Sequence, residues 1–221
     1  MEIDISPLIE SWRFLANGLA VTVLLSLGSA VGATLLGALI GLARCYASRP
    51  IAGLLAFYVD SMRAVPVLVV LVWTFFGIPV LTGATLPPFW AALIALGAHI
   101  SAYVSEIVRA GVGSIRPGQI RAALALGMSQ GKILRHVIMP QAIVRMLPAY
   151  GSVLSITIKD TAIASVIAVP ELMRQSETVA GQSFRPIETF TAAMLVYFVI
   201  LLPVTRGIDG IYRRVAHLGR S

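Results

Sequence analysis

Acidic residues are scarce in this 221-residue chain: 10 Asp and Glu stand against 17 Lys and Arg, and charged residues of both signs make up only 12%. A soluble domain carries about 25%, so water is the wrong solvent for most of a sequence that is 57% hydrophobic. One cysteine, Cys45, excludes an internal disulfide and has no metal-ligand companions; it is expected to pack as a small apolar residue. A phosphate-binding loop is missing too. Gly127-Met128-Ser129-Gln130-Gly131-Lys132 lacks the four-residue gap, the following Ser or Thr and the preceding strand. With no nucleophile–base pair and no metal-ligand cluster, no catalytic residue and no bound cofactor are assigned.

What is present is long apolar runs. A bilayer core needs about 20 apolar residues of helix, and five stretches qualify, at 19–43, 65–81, 89–108, 147–169 and 190–204. The second and fifth need their flanks. The expected fold is an all-α polytopic membrane protein, a single domain over 1–221 with five transmembrane helices. An odd number of spans puts the termini on opposite sides. Arg44, Arg49, Arg63, Arg109, Arg116, Arg121, Lys132, Arg135, Arg145, Arg206, Arg213, Arg214 and Arg220 all fall on one side, thirteen of the 17 basic residues. The other side has Arg13, Arg174 and Arg185 among Glu2, Asp4, Glu10, Glu171, Glu177 and Glu188. By the positive-inside rule the N-terminus is outside and the C-terminus cytoplasmic. The net charge of +7 therefore reads as topology rather than affinity for nucleic acid. The acidic start, MEIDISPLIE, is unlike a secretory signal, and the first span is expected to serve as its own insertion signal.

The first span holds Gly28-x-x-x-Gly32 and Gly37-x-x-x-Gly41. At about 100° per residue the two pairs point roughly 180° apart, which predicts close neighbours on both sides of this helix.

Between the third and fourth spans lies a basic, Ala-rich segment, 118–142. It is expected to form two short helices: 119–126, ended by a left-handed Gly127, and a second capped by Ser129, running to Val137 and stopped by Pro140. Ile133, Leu134, Val137 and Ile138 form one apolar stripe, and Ile120, Ala123, Leu124 and Gly127 another, with small Ala122 and Ala125 alongside. Two readings fit these residues. Small side chains with a basic rim suit insertion into a groove of another protein, and a basic amphipathic segment equally suits a membrane surface.

The same segment resembles the "EAA" loop of ABC-importer permeases, E-A-A-x3-G-x9-I-x-L-P. Here it reads Arg121-Ala122-Ala123, then Gly127, then Val137, Met139 and Pro140, with Arg, Val and Met in place of Glu, Ile and Leu. The words ALGMS and MPQA, the stretch SAYVSEIVRAGVGSIRPGQ at 101–119 and IKDTAIASVIAVPEL at 158–172 are similar to the branch serving histidine, glutamine and arginine. The resemblance implies a type I ABC importer fold in the inner membrane. It also implies coupling helices, built from Gln119, Arg121, Ala122, Ala123, Gly127, Met128, Ser129, Val137 and Pro140, that dock on a separate ATPase subunit using ATP and Mg. A second permease subunit, identical or paralogous, and a solute-binding protein outside complete the expected partners. Arg121 then either pairs with an acid on its own ATPase or is a solvated charge.

Ionisable residues in the runs cost about 2.5–3.5 kcal/mol each on insertion scales and face a cavity or a partner. The fourth run, bounded by Pro148 and Pro170, puts Lys159 and Asp160 near its centre. Asp160 shares a helical face with Thr157 and Thr161, Lys159 with Ser155. Asp160 is expected to hold the ammonium of a zwitterionic solute, with Lys159 for its carboxylate; the alternative is that both close interhelical bridges. Relatives of the resembling family often carry Asn-Glu about seven residues before this Asp, where Ser152-Val153 stand here, which favours a neutral zwitterion over a cationic substrate. His99, mid-run, is either a substrate contact or a core histidine bonded to a backbone or hydroxyl group. Glu106 and Arg109 are expected to pair locally. Arg63, ahead of Val65-Pro66 and similar to the family's R-G-T-P, is either part of an inner gate or a snorkelling anchor.

The expected function is thus a permease subunit for a polar amino acid or similar zwitterion. A stand-alone secondary carrier and a membrane enzyme using His99 and Asp160 are the alternatives. No internal repeat supports the first of these, and the mid-run placement of both residues disfavours the second.

Overall fold

The computed structural model describes residues 4–216; Glu2 and Arg220, counted in the charge balance, lie outside the described residues. Every regular element among the described residues is helical. In chain order they are α1 (Ser6–Glu10), α2 (Trp12–Tyr46), α3 (Arg49–Ala64), α4 (Val67–Val72), α5 (Ile78–Thr82), α6 (Pro88–Gly113), α7 (Pro117–Ala125), α8 (Gln130–Ile133), α9 (Met139–Asp160), α10 (Leu172–Ser183) and α11 (Pro186–Val215). A π turn, Trp73–Gly77, joins α4 to α5; a second, Leu134–Ile138, joins α8 to α9; a 3₁₀ helix, Thr161–Ile167, extends α9.

Four of these units are long and apolar enough to cross a membrane: α2, α6, the continuous run Gln130–Ile167, and α11. A fifth candidate is a sharply bent pair of helices. The helices Arg49–Ala64 and Val67–Thr82 meet at 107°. Pro66 lacks an N–H and pushes the residue before it out of the helical region, and Val65 is extended at φ −90°, ψ 135°. The expected span 65–81 is therefore only the second arm, which rises about 24 Å against a core of roughly 30 Å. The first arm, α3, was not legible as part of a span. It is amphipathic, with Leu55, Tyr58, Val59 and Met62 packed inward beside Ile40 and Ala102, and Ile51, Leu54 and Phe57 exposed.

The close pair at the centre is α2 against α6. Ser29, Ala33, Gly37 and Gly41, four residues apart, form a buried stripe on α2. A Cβ on Gly37 would sit 2.6 Å from the Ser101 carbonyl oxygen, and one on Gly41 2.7 Å from that of Ser105. Only glycine lets these backbones approach so closely. The expectation of one neighbour on each side is corrected here. Gly28 meets the tip of Leu93, again on α6, because a long leucine reaches around the helix, and Gly32 faces open space.

The fourth span also differs from expectation. Pro148 lies inside α9 rather than bounding it, and the helix starts at Gln130. Lys159 and Asp160 sit where α-helix gives way to 3₁₀. Cys45 is half-buried and packs on the cluster of Val104, Val108 and Val112, as a small apolar residue would.

Candidate functional site

The first candidate surface is the segment between α6 and α9. Helix α7 ends as expected. Gly127 takes φ +74°, its N–H donates to the Leu124 carbonyl at 2.9 Å, and the Met128 N–H donates to the Ala123 carbonyl at 3.1 Å. These two bonds define a Schellman cap, which a Cβ at position 127 would strain. Ser129 occupies the N-cap position of the next helix, extended at ψ 155°, but its hydroxyl makes no capping bond. Pro140 does not stop that helix. The π turn Leu134–Ile138 immediately before it widens the backbone where the proline ring would strike the carbonyl four residues back, and the helix runs on into α9.

The two apolar stripes divide differently from expectation. Ile133, Ile138 and Ala123 are buried, with Ile120, Met128, Leu134 and Val137 packed on them, in one cluster with Val112 and Ile115 from the end of α6 and the residues just after it. The second stripe therefore anchors the segment to its own span. Arg121, Ala122, Leu124, Ala125, Leu126, Gly127 and Ser129 remain exposed; Leu124 is 50% and Leu126 82% accessible. Gln119 points inward, its Oε1 buried without a hydrogen-bond partner.

The second candidate is a partly open cavity of about 450 Å³ at the bend between α3 and α4. Such a volume suits a small ligand. Its polar lining is Arg63, His99, Tyr103 and Asp160; Val65, Pro66, Val67, Ile100, Val153 and Ile156 supply the apolar wall. Three elements converge there. The 107° bend brings the last turn of α3 over α6, where the Arg63 guanidinium lies 5.6 Å from the Tyr103 ring centre. His99, one turn earlier on α6, lies 5.4 Å from the same ring. Asp160 enters from the end of α9. Neither Arg63 nor Asp160 has an ion-pair partner among the described residues, so an acid and a base share one cavity without meeting. His99 is not the bonded core histidine of the alternative reading: it is buried, and its Nδ1 has no partner.

The rest of the expected solute site is not assembled there. Thr157 and Thr161 are buried, and their hydroxyls donate to the carbonyls of Val153 (2.9 Å) and Ile158 (2.7 Å) on their own helix. The tightening to 3₁₀ at Thr161 turns that side chain away from the Asp160 face. Lys159 is exposed and lines a separate groove with Ser152, Ser155, Thr205 and Asp209, between α9 and α11.

Sequence reasoning missed two polar clusters. Glu106 does pair with Arg109 at 2.8 Å, but it also accepts from Arg44 of α2, tying two spans together. Glu171, counted above only in the charge balance, is fully buried. Its carboxylate accepts from the N–H groups of Met173 (2.9 Å) and Arg174 (2.7 Å), from the Tyr197 hydroxyl (3.0 Å) and from Thr22 (3.4 Å). Burial raises its pKa, and those four donors partly offset the rise. It caps α10. Gln175 and Ser176 of α10 are buried, while Arg174 and Glu177 pair locally at 3.4 Å. Glutamate is an uncommon N-cap, so only the spacing of Glu171 before an amphipathic run could have signalled it.

Comparison with known proteins agrees with this architecture. Residues 33–217 match the family described as binding-protein-dependent transport system inner membrane component. The chain is 35% identical over 205 residues to the arginine transport system permease protein ArtQ of Bacillus subtilis, covering 93% of this chain and 94% of that one. It is 32% identical over 216 residues to the glutamine transport system permease protein GlnP of Escherichia coli K12, covering 97% and 99%. The fold overlays a solved amino acid ABC transporter, crystallised with histidines, at a TM-score of 0.89 and 33% identity, over 97% of this chain and 100% of that one. An inward-facing MetNI methionine transporter shares the fold at a TM-score of 0.81 and 19% identity, over 93% and 98%.

Proposed function

This chain belongs to the binding-protein-dependent inner-membrane transport family, as a multi-pass permease subunit of an amino-acid ABC importer whose ATP is hydrolysed by a separate subunit, and we propose how its two candidate sites divide that work. The exposed face of α7 and the turn after it, Arg121 to Ser129, is the ATPase-coupling surface. It lies on the cytoplasmic side with the C-terminus, and the N-terminus lies outside. ATP and Mg act in the ATPase alone. A solute-binding protein delivers to the outer side, and a second permease subunit completes the pathway.

The cavity at the bend takes the cargo, a polar amino acid in zwitterionic form. The observation that carries this reading is Asp160, an acid facing a ligand-sized cavity with no ion-pair partner among the described residues. A carboxylate in an apolar wall favours an arriving ammonium. Lys159, in another groove, is not its complement within one chain. The test is Asp160→Asn in the assembled transporter: uptake is abolished, while co-purification of the ATPase is unchanged. Uptake at the unsubstituted rate sinks the assignment, and loss of the ATPase shows that the residue acts on assembly instead.

A further inference from the structure

Resting on the reading of the exposed α7 face as the coupling surface, we infer that Arg145 is a positioning residue for transport: it closes the coupling segment into a loop, so that movement of the ATPase reaches α6 and α9 together. The segment leaves the bundle at Ser114, the C-cap of α6, and Arg145 lies on α9. These two residues are 31 positions apart, yet the Arg145 Nη1 donates to the Ser114 carbonyl at 2.6 Å and to its hydroxyl oxygen at 3.3 Å. That hydroxyl donates in turn to the Gly111 carbonyl at 2.7 Å, back in α6. The local sequence leaves the Ser114 carbonyl open to such a donor. Three residues on stands Pro117, which has no N–H, so the usual turn bond cannot form. Cationic donors suit the carbonyl end of a helix, and this one comes from the far side of the segment.

The clasp lies on a seam that can yield. Where α2 meets α6, an added Cβ at Gly37 or Gly41 would strike a backbone carbonyl oxygen; where α6 meets α9, one at Gly111 would strike the Met146 side chain. A methionine reshapes easily, and a carbonyl fixed in a helix does not. Arg44 and Glu106 tie α2 to α6 as well. Beside the clasp a crevice of about 350 Å³ parts α6 from α9, with Ile107 and Ala110 on one wall and Met146 and Ala149 on the other; Ser114 and Arg145 belong to the same lining. A pull on the coupling face can therefore be lost by α9, which carries Asp160, shifting against the α2–α6 pair. Arg145 spans the gap at the root of the segment, and with it in place both helices are drawn as one.

The test is uptake per ATP hydrolysed by the complete transporter in proteoliposomes, binding protein included. Arg145→Met keeps a long side chain and removes the donors. It is expected to lower uptake per ATP about tenfold, within the usual span of coupling energies, while the ATPase co-purifies as before. Arg145→Lys keeps the charge and a donor and recovers part of the loss. A covalent clasp gives a second readout. In a Cys45→Ala background, the pair Ser114→Cys and Arg145→Cys is expected to be uncoupled until a short bifunctional thiol reagent joins the two positions, which restores uptake per ATP. An unchanged ratio in Arg145→Met overturns the inference, as does loss of the ATPase from that variant, which makes Arg145 an assembly residue. Cross-linking that arrests uptake or leaves the ratio low overturns it too, since the two ends must then part in each cycle or play no part in coupling. Leu126→Asp on the exposed face tests the premise separately: the ATPase is expected to be lost, and its retention overturns the coupling-surface reading itself.

Discussion

Glycines at 32 and 37 are five residues apart on one helix and are equivalent by composition, yet they meet opposite surroundings. An added methyl at Gly37 would lie 2.6 Å from a backbone carbonyl oxygen, which cannot rotate away, and 2.6 Å from the Val104 Cβ; nothing lies within 4 Å of Gly32. Gly37→Ala therefore forces α2 off α6, at the roughly 1–3 kcal/mol typical of overpacking. Gly32→Ala removes a flexible residue from a helix at no steric cost and is neutral or slightly stabilising. Thermal melts of the two variants in the same detergent check this contrast; equal melting temperatures would show that the α2–α6 contact is not tight. Small-residue spacing was readable from the sequence. Which glycine of each pair meets a neighbour was not, since that depends on the helix crossing and on how far Leu93 reaches.

At the scale of elements, local chemistry was legible where one residue decides the outcome, and misleading where a neighbour overrides it. Gly127 ends α7 because its own backbone takes φ +74°, a preference any sequence reader can anticipate. Pro140 looked like a stop for the same kind of reason, but the π turn at Leu134–Ile138 accommodates it, and no rule applied one residue at a time anticipates that. The consequence is mechanical: one continuous helical run, Gln130–Ile167, leads from the end of the coupling surface at Ser129 to the Asp160 cavity. With Pro140→Ala the turn no longer has a proline ring to accommodate and can relax to regular α-helix, which rotates α8 relative to α9 by about 100°. The variant is expected to assemble normally and to lose about tenfold in cargo-stimulated ATP hydrolysis, within the usual span of coupling energies. Stimulation at the unsubstituted level would mean that the π turn plays no part in transmission. The cavity itself was half legible. Arg63, His99 and Asp160 stand out as polar residues in apolar runs, but their convergence is produced by the 107° bend, and the threonines assigned to the same face turned inward to bond their own helix.

Across the whole molecule, the end opposite the coupling segment is fastened at one buried carboxylate. Glu171 joins α2 through Thr22, α10 through the Met173 and Arg174 amides, and α11 through Tyr197; Thr22 in turn accepts from the Leu172 N–H at 3.0 Å. Glu171→Ala leaves several donors unsatisfied at a site closed to water and removes the cap of α10. A loss of about 3 kcal/mol follows from the cost of such orphaned groups and of a missing cap. The same residue sets a pH dependence. Its folded pKa is raised by burial, so the folded chain holds this proton more tightly than the unfolded one. A raised carboxylate favours folding when protonated, and stability is lost as pH climbs from the ordinary glutamate value through the folded one. Glu171→Gln cannot ionise and removes that dependence while keeping an acceptor for the α10 amides. Melting temperature followed from acid to neutral pH should therefore fall more steeply in the unsubstituted transporter than in Glu171→Gln. Parallel pH profiles would show that Glu171 keeps its ordinary acidity, and that its four donors outweigh the cost of burial.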